Sequence, residues 1–399
     1  MLSFKFDMMQ TLGFAVLLLL FGRLLKQKIK FFETYCIPEP VIGGFIFAIV
    51  HLILRQNNVI GFEFDEALKT FFMNMFFATI GFNASVHILK KGGVMVLKFL
   101  LVATILAILQ NVVAVLLAPV VKIPPILALM TASTPMTGGH GTSGGIASFV
   151  EEMGFQGAVA VAFTSATYGL VAGSLMGGPV GRFLIKKNNL KDLDTTDKAE
   201  TETVIKPLDE GKIMAAFFHI LIALFFGSYV TQDLNWLFMK MGASINFPSY
   251  LGAMIIGAII RNVFDNSKFA APMEEVSIVG NVSLNLFLAV ALMTLRLWEL
   301  ADLAIPMIIL LIAQTVLIFF FTIFVTFNVM GRNYDAAVIT AGHCGFGMGA
   351  TPNAIANMQS VCNNYGYSSL AFFVVPIVGS LFIDFINVTQ INIFIGLFK

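Results

Sequence analysis

The stretch TASTPMTGGHGTSGG at residues 131–145 and the stretch TAGHCGFGMGATPNAIANM at residues 340–358 decide the fold of this chain. Both are uncharged and rich in glycine, and they interrupt hydrophobic sequence at matching places in the two halves. In a bilayer every backbone N–H and C=O must find a partner, so such breaks survive only inside protein or beside a watery cavity. Paired breaks therefore predict a substrate path and mark a transporter's binding site.

The composition independently indicates a polytopic membrane protein. Of the 399 residues 58% are hydrophobic and 12% are charged, which is too little polar surface to cover a soluble globule of this length. The net charge of +1 provides no basic stripe, so nucleic acid is not an expected partner. The cysteines, Cys36, Cys344 and Cys362, are scattered and predict neither a disulfide framework nor a metal site. We expect no cofactor.

Ten segments are long and apolar enough to suggest membrane-spanning helices, which need about 20 residues each. They lie near 9–25, 38–54, 68–88, 94–120, 158–181, 213–231, 248–263, 276–295, 303–328 and 367–397. The glycine-rich stretches fall between the fourth and fifth span of each half and are too short to cross. We therefore predict re-entrant hairpins at 126–147 and 337–358.

These segments predict an all-α membrane protein built from two five-span repeats. The first repeat covers residues 1–187, the second covers 213–399, and the polar stretch 188–212 links them. An odd number of spans inverts the second copy, so the hairpins enter from opposite faces and their tips meet near the midplane. This is the inverted-repeat plan of a secondary transporter, in which one bundle moves against the other to give alternating access.

The basic residues set the predicted orientation, because cytoplasmic loops carry an excess of Lys and Arg. With the N-terminus outside, 17 of the 24 basic residues are cytoplasmic. The seven that remain outside are Lys5, Arg55, Lys69, Lys122, Lys240, Arg296 and Lys399. We therefore expect both termini in the periplasm and the central linker in the cytoplasm.

The two tips carry chemistry suited to an anion. A helix N-terminus presents free N–H groups and a partial positive charge, and glycine lets a ligand approach the backbone. The candidate substrate-binding residues are Thr137, Gly138, Gly139, His140, Gly141 and Thr142 in the first tip, and Gly345, Gly347, Gly349, Ala350, Thr351 and Asn353 in the second. The alternative is that the glycines only allow tight helix packing. For His140 and His343, donation to a carboxylate and plain packing both stay open.

Two aspartates in apolar surroundings are further candidates, because a charge at the bilayer centre costs on the order of 3 kcal/mol or more. Asp384 is the preferred ligand for a substrate ammonium group or a sodium ion. Asp335 is a candidate sodium ligand, with a helix cap or a pairing with Arg332 as the alternative. Sodium favours hard oxygen ligands, and the other candidates are amides: Gln110, Asn281, Asn285, Gln314, Asn357 and Asn387. Any of these amides can instead form an interhelical hydrogen bond worth about 0.6 kcal/mol.

Several motifs resemble the bacterial sodium/glutamate symporter family over nearly the whole chain. They are IPEPV at 37–41, FFATIG at 76–81, GGHGT at 138–142, GNVSL at 280–284, LWEL at 297–300, NYDAAV at 333–338, GHCGFG at 342–347 and GATP at 349–352. The resemblance implies sodium-coupled import of L-glutamate across the inner membrane by alternating access. It also implies two inverted repeats with re-entrant loops and a homodimeric, elevator-like arrangement.

Other function classes fit only parts of the sequence. Tyr334-Asp335 is similar to one motif of intramembrane aspartyl proteases, but the partner stretch reads GMGA at 347–350 and lacks the second aspartate. We therefore expect no enzyme activity. A channel filter would be repeated around a pore by symmetry, whereas these two loops differ in sequence. An inverted-repeat carrier of a di- or tricarboxylate such as citrate or malate, coupled to sodium or protons, stays as the alternative.

Overall fold

Helices make up almost all of the described chain, which in this computed structural model comprises residues 2–35, 37–91, 93–190, 209–240, 247–265, 267–298 and 303–398. The first half contains α1 (Met8–Lys28), α2 (Lys30–Thr34), α3 (Glu39–Gln56), α4 (Ala67–Asn83), α5 (Val86–Lys91), α6 (Gly93–Leu117), α7 (Pro125–Leu129), α8 (Ser133–Met136), α9 (Gly139–Glu152) and α10 (Ala158–Lys187). The second half contains α11 (Glu210–Lys240), α12 (Ser249–Phe264), α13 (Met273–Met293), α14 (Ala304–Phe321), α15 (Phe327–Val329), α16 (Tyr334–Phe346), α17 (Thr351–Tyr365), α18 (Ser369–Ile377) and α19 (Ile383–Phe398). The π-helical segments Thr322–Thr326 and Val378–Phe382 join α14 to α15 and α18 to α19.

The predicted spans correspond to helices of this fold. Within the described residues, nine helical segments are long and apolar enough to cross a membrane. The remaining predicted span, near 248–263, is α12, which has 16 residues and falls short of that length. The chain is therefore a polytopic membrane protein by length and composition. Most of the predicted linker 188–212 lies outside the described residues.

Local sequence signals explain where several helices begin. At α1 the Asp7 carboxylate accepts from the Gln10 N–H at 2.8 Å while the Gln10 side chain accepts from the Asp7 N–H at 3.1 Å, which is a capping box. At α3 a proline occupies the first turn, where a missing N–H costs no hydrogen bond. Asn333 caps α16 by accepting from the Ala336 N–H at 2.9 Å.

Among the described residues, a small parallel sheet is the one element that the all-α expectation misses. Strand β1 (Leu2–Phe6) pairs with strand β2 (Ile60–Phe64), and Lys5 Nζ lies 2.9 Å from Glu63 Oε2 across the pair. Each strand has only five residues, and a parallel pair needs a long crossover rather than a recognisable hairpin turn. The pairing therefore leaves no local signal in the sequence.

The helices pack as two bundles. We call the group of α1, α3, α4, α11, α12 and α13 the six-helix bundle; it comprises the first three spans of both halves. We call the group of α5 to α10 and α14 to α19 the hairpin bundle, because it holds the helical hairpins α7–α9 and α16–α17. Both halves thus use the same order of elements, with three spans, a long span, a hairpin and a final span.

Each hairpin packs against the final spans of both halves. On α10, Gly169, Gly173, Gly177 and Gly181 recur every four residues and face the second hairpin, where a Cβ on Gly173 would lie 3.0 Å from the Cys344 carbonyl oxygen. On α19, Asn387 Nδ2 donates to the Ser133 carbonyl oxygen of the first hairpin at 2.9 Å. Small residues let helices approach closely, so these contacts hold both hairpins in a single body.

Candidate substrate and ion site

The two hairpin tips meet inside the hairpin bundle. The first tip is the turn between α8 and α9 at Gly138, and the second is the turn at 347–350 between α16 and α17. A Cβ built on Gly139 would lie 3.1 Å from the Gly349 carbonyl oxygen. Gly139 also has a φ of +60°, a left-handed conformation that favours glycine. The structure therefore brings the two predicted tips together.

Both tips present an uncapped helix N-terminus. The N-cap of α9 is Gly138 and that of α17 is Ala350, and neither end has a side-chain cap. At α9 the first-turn N–H groups have no carbonyl within the helix to bond. At α17, Pro352 has no N–H and the Asn353 N–H donates to the Ala350 carbonyl at 3.0 Å. The first tip is therefore the richer in free donors for a carboxylate.

Glycines farther along α9 serve packing. A Cβ on Gly141 would lie 2.8 Å from the Phe76 ring of α4, and one on Gly145 would overlap the Phe77 ring. Thr142, the residue after Gly141, is buried, and its Cβ lies 2.5 Å from a Cβ built on Gly138. Gly141 thus faces the six-helix bundle, and the packing alternative describes this predicted substrate residue.

The second tip is also closely packed on its first-arm side. A Cβ on Gly345 would lie 2.6 Å from the Ala354 backbone, and one on Gly347 would lie 2.8 Å from Ile318. Ala350 and Thr351 are only partly buried. Of the residues predicted in this tip, Ala350 and Thr351 therefore offer the more accessible backbone.

The two histidines are engaged by hydroxyl groups. His140 Nε2 lies 3.0 Å from Thr167 Oγ1, and Thr167 donates its own hydrogen to the Phe163 carbonyl at 2.9 Å. With its hydrogen on that carbonyl, the Thr167 oxygen is available to accept a hydrogen bond from His140 Nε2. His343 Nδ1 lies 2.8 Å from Thr326 Oγ1, and its ring stacks on Phe346 with centroids 4.9 Å apart. Each ring thus has one nitrogen bonded to a threonine hydroxyl, while His343 Nε2 is buried without a hydrogen-bond partner among the described residues.

Gln110 connects the tips to each other. Its Nε2 donates to the Gly347 carbonyl at 2.8 Å, and its Oε1 accepts from the Thr137 hydroxyl at 2.8 Å. Gln314 Nε2 donates to the Gln110 backbone carbonyl at 2.9 Å. The neighbour Asn111, which the sequence reasoning did not single out, accepts from the Ser133 hydroxyl at 2.9 Å. The available signal was an adjacent Gln-Asn pair inside an otherwise apolar span.

Four amide oxygens in the hairpin bundle are buried without a protein donor in the described part of the chain: Gln314 Oε1, Asn353 Oδ1, Gln390 Oε1 and Asn392 Oδ1. Of these, Gln314 and Asn353 are among the predicted site residues. Asn353 uses its Nδ2 to donate to the Leu170 carbonyl at 3.0 Å and to Ser174 Oγ at 2.5 Å. A buried acceptor without a donor costs about 1–3 kcal/mol. A cation would satisfy it, so these two are the strongest oxygen ligands among the predicted amides.

Two other predicted amides already have protein partners. Asn387 donates to Ser133 and accepts from Gln390 Nε2 at 2.9 Å. Asn357 Nδ2 donates to the Gly173 carbonyl at 2.9 Å, which attaches α17 to α10. Both therefore act as the interhelical hydrogen bonds that were the alternative for these positions.

Three predicted ion ligands lie on elements other than the tips. Asp335 is in the first turn of α16, at the far end from the tip, and accepts from Ser368 Oγ at 2.6 Å. Asn281 is exposed on α13, and its carbonyl accepts from Asn285 Nδ2 at 2.9 Å. Asn281 and Asn285 thus belong to the six-helix bundle, on a helix that packs against α9.

Asp384 lies in a part of the last span that contacts both hairpins. Five residues before it, a Cβ on Gly379 would lie 2.9 Å from Thr351 Oγ1. Three residues after it, Asn387 bonds the Ser133 carbonyl. Asp384 is partly buried, and its carboxylate has no hydrogen bond or ion pair with any described residue. It follows the π-helical segment Val378–Phe382, a distortion that often occurs at functional sites.

The structure has membrane-spanning helices around two broken helices, with free N–H groups and unpaired oxygens near the breaks. These features are typical of the class of secondary membrane transporters. The chain belongs to the sodium/glutamate symporter family, whose sequence profile matches residues 4–367. The resemblance of the sequence motifs is thereby confirmed. This is a family of transporters rather than enzymes, and sodium is its coupling ion.

Relatives of similar length support the same assignment. The sodium/glutamate symporter of Escherichia coli (strain K12) is 41% identical over 402 residues, which cover 99% of this chain and 98% of the relative. The sodium/glutamate symporter of Haemophilus influenzae is 39% identical over 401 residues, which cover 98% of each chain. Among solved structures, the sodium proton antiporter MjNhaP1 from Methanocaldococcus jannaschii aligns over 98% of both chains with 14% identity and a TM-score of 0.43, too low a similarity to support any inference.

Proposed function

We propose that this protein imports L-glutamate together with sodium ions across the bacterial inner membrane by alternating access. The observation that carries the proposal is the meeting of two uncapped helix N-termini at Gly139 and Gly349. Glutamate has two carboxylates, and the hairpins, residues 125–152 and 334–365, contain no Lys or Arg. Backbone N–H groups at the tips are therefore the counter-charges that the hairpins themselves offer.

The proposed substrate position lies between the tips and Asp384. A carboxylate at the start of α9 would accept from the free N–H groups of Gly139 and His140, and the start of α17 supplies the Thr351 N–H for the second carboxylate. The substrate ammonium group would then pair with Asp384, whose carboxylate has no partner among the described residues. The two carboxylates of glutamate thus meet N–H donors at the tips, and its ammonium group meets the Asp384 carboxylate.

For sodium we propose oxygen ligands from Gln314 and Asn353. Their amide oxygens are buried and lack donors within the described residues. The first arms α8 and α16 also end at the tips, where carbonyl groups and the negative end of the helix dipole favour a cation. At each tip, therefore, the helix N-terminus favours an anion and the helix C-terminus favours a cation.

The hairpin bundle is the proposed moving part, and the six-helix bundle is the proposed stationary part. The contacts between them run mainly along α9 against α13, and along α19 and the adjoining π-helical segment against α4. At this interface glycines of α9 face the rings of Phe76, Phe77 and Phe287. The family resemblance adds a homodimeric arrangement to this proposal.

The proposed topology has inverted repeats, 1–187 and 213–399, joined by a cytoplasmic linker at 188–212, with both termini in the periplasm. It is supported by the matching order of elements in the two halves and by the excess of basic residues on one side. In this topology the hairpins 126–147 and 337–358 are re-entrant from opposite faces, since each of α9 and α16 is shorter than the roughly 20 residues that a span requires.

Uptake by the purified protein in proteoliposomes tests the proposal. An inward sodium gradient should drive accumulation of radiolabelled L-glutamate, and a proton gradient without sodium should not. Counterflow against internal glutamate should be strong, and counterflow against citrate or malate should be at background. Uptake that persists without sodium, or preferential exchange of citrate, would overturn the assignment.

A further inference from the structure

Gln110 is the one side chain of the described residues that hydrogen-bonds both hairpin tips. Its amide nitrogen donates to Gly347 and its amide oxygen accepts from Thr137, each at 2.8 Å. We propose that Gln110 is a positioning residue that couples the two tips, so that sodium bound beside one tip changes the affinity for glutamate at the other. This inference rests on the proposed function and identifies the link between its two ligands.

Gln110 is buried, so the loss of either of its two hydrogen bonds is costly. The side chain is fully buried on α6, a mostly apolar helix. Both of its partners belong to tips, one from each half of the chain. If either tip moves away, a buried amide group loses its partner, which is unfavourable in a low-dielectric interior. The tips therefore favour positions in which both bonds form together.

This role replaces the prediction of Gln110 as a sodium ligand. Its nitrogen is a donor that would repel a cation, and its oxygen already accepts from Thr137. Gln314 supports the same arrangement, because its Nε2 donates to the Gln110 carbonyl and ties the fourth spans of the two halves together. The pair of glutamines thus joins the halves at the level of the tips.

Asn111 provides a matched control at the next position of the same helix. It is also fully buried, and its Oδ1 accepts from the Ser133 N–H at 3.2 Å and from the Ser133 hydroxyl at 2.9 Å. Gln110 and Asn111 therefore each make two hydrogen bonds, but Asn111 reaches only the first hairpin. A structural role shared by both would give the two variants the same phenotype, whereas coupling distinguishes them.

Hydrogen–deuterium exchange of the purified protein tests the coupling without any ligand. In Gln110→Met, amide exchange should become roughly tenfold faster at both tips, in segments 134–142 and 345–353, as expected for a lost buried hydrogen bond. In Asn111→Leu, only the first segment should exchange faster. Unchanged exchange at 345–353 in Gln110→Met would overturn the proposal.

The sodium dependence of the glutamate KM is the second readout, measured in proteoliposomes. In wild type the KM should fall as sodium rises; in Gln110→Met this dependence should flatten, with the KM at saturating sodium raised roughly tenfold and the maximal rate little changed. Asn111→Leu should keep the wild-type dependence. If Gln110→Met does not fold, Thr137→Val removes one of the two bonds and should weaken the dependence, and Thr137→Ser should restore it.

The outcomes separate the two proposals. Wild-type protein that shows no sodium-dependent glutamate uptake would contradict the proposed function and leave the exchange experiment to decide the coupling of the tips. Normal uptake in wild type, together with an unaltered sodium dependence in Gln110→Met or in both Thr137 variants, would contradict the coupling role alone.

Discussion

A methyl group on Gly139 would lie 3.1 Å from the carbonyl oxygen of Gly349, although these residues come from opposite halves of the chain. This is closer than an ordinary van der Waals contact, and Gly139 also has a left-handed backbone. The two tips thus approach each other at a point where neither has room for a side chain. The proposed site is built from backbone at its centre.

The first prediction concerns this close approach. Gly139→Ala should reduce glutamate uptake roughly tenfold, because the left-handed conformation costs an L-residue about 1–2 kcal/mol and the methyl group presses on the second tip. Gly154→Ala is the matched control, since Gly154, in the turn that follows α9, has a φ of +99° and nothing within 4 Å of its Cβ. It should lower the melting temperature but preserve the KM. Equal loss of uptake in both variants would show that backbone strain, and not contact between the tips, causes the loss.

A further prediction concerns Gly141, which the sequence suggested as a ligand-binding glycine and which the structure places against the six-helix bundle. A larger residue there meets the Phe76 ring at 2.8 Å and so alters the contact between the bundles. Gly141→Val should therefore slow transport while leaving equilibrium glutamate binding close to wild type. Isothermal titration of the purified variant measures this, and a complete loss of binding would instead place Gly141 at the substrate.

The second prediction separates the two membrane aspartates. Asp384→Asn should weaken glutamate binding by roughly ten- to more than a hundredfold, since a charge-assisted hydrogen bond is worth about 1.5–3 kcal/mol. Asp335→Asn should bind normally, because Asp335 bonds Ser368 at the far end of α16. Binding to detergent-purified protein at fixed sodium makes the comparison. Intact binding in Asp384→Asn would remove it from the site.

The third prediction tests the sodium ligands. Gln314→Met removes the unpaired Oε1 while preserving side-chain length, so the sodium concentration for half-maximal uptake should rise roughly tenfold. Thr315→Val is the neighbouring control; it loses a 2.9 Å hydrogen bond to Tyr168 on another helix but no unpaired oxygen. An identical sodium response in both variants would argue against Gln314.

The fourth prediction is topological. A cysteine at Lys187 should react with a membrane-impermeant maleimide only from the cytoplasm, and a cysteine at Glu63 only from the periplasm. The native cysteines would first be replaced by alanine, and intact cells compared with inverted vesicles. Labelling of both positions from the same face would exclude the inverted five-plus-five arrangement.

Hydrophobic runs predicted the spans well because lipid imposes the same requirement on every crossing helix. Hairpin positions were predictable for a related reason, since glycine and proline breaks are costly at membrane depth. The β1–β2 pair was not, because its partners are far apart in the chain and carry no turn signal. Its alternating phenylalanines are visible only once the pairing is known.

Polar side chains were harder to assign, because sequence does not reveal which helix face meets protein. Gln110 and Asn281 are both amides in apolar spans, yet one joins the tips and the other is exposed. Asp335 could have been recognised from its position two residues after Asn333, which caps α16. An aspartate in a first turn interacts favourably with the helix dipole and needs no ion.

The contact between the first hairpin and α19 has a consequence for how the protein is made. The first hairpin is complete by Glu152, but α19 is the last helix of the chain. During synthesis the first hairpin must therefore wait, through more than half of translation, for the Asn387 contact. The close approach of Gly139 to Gly349 likewise forms only after both halves have been made.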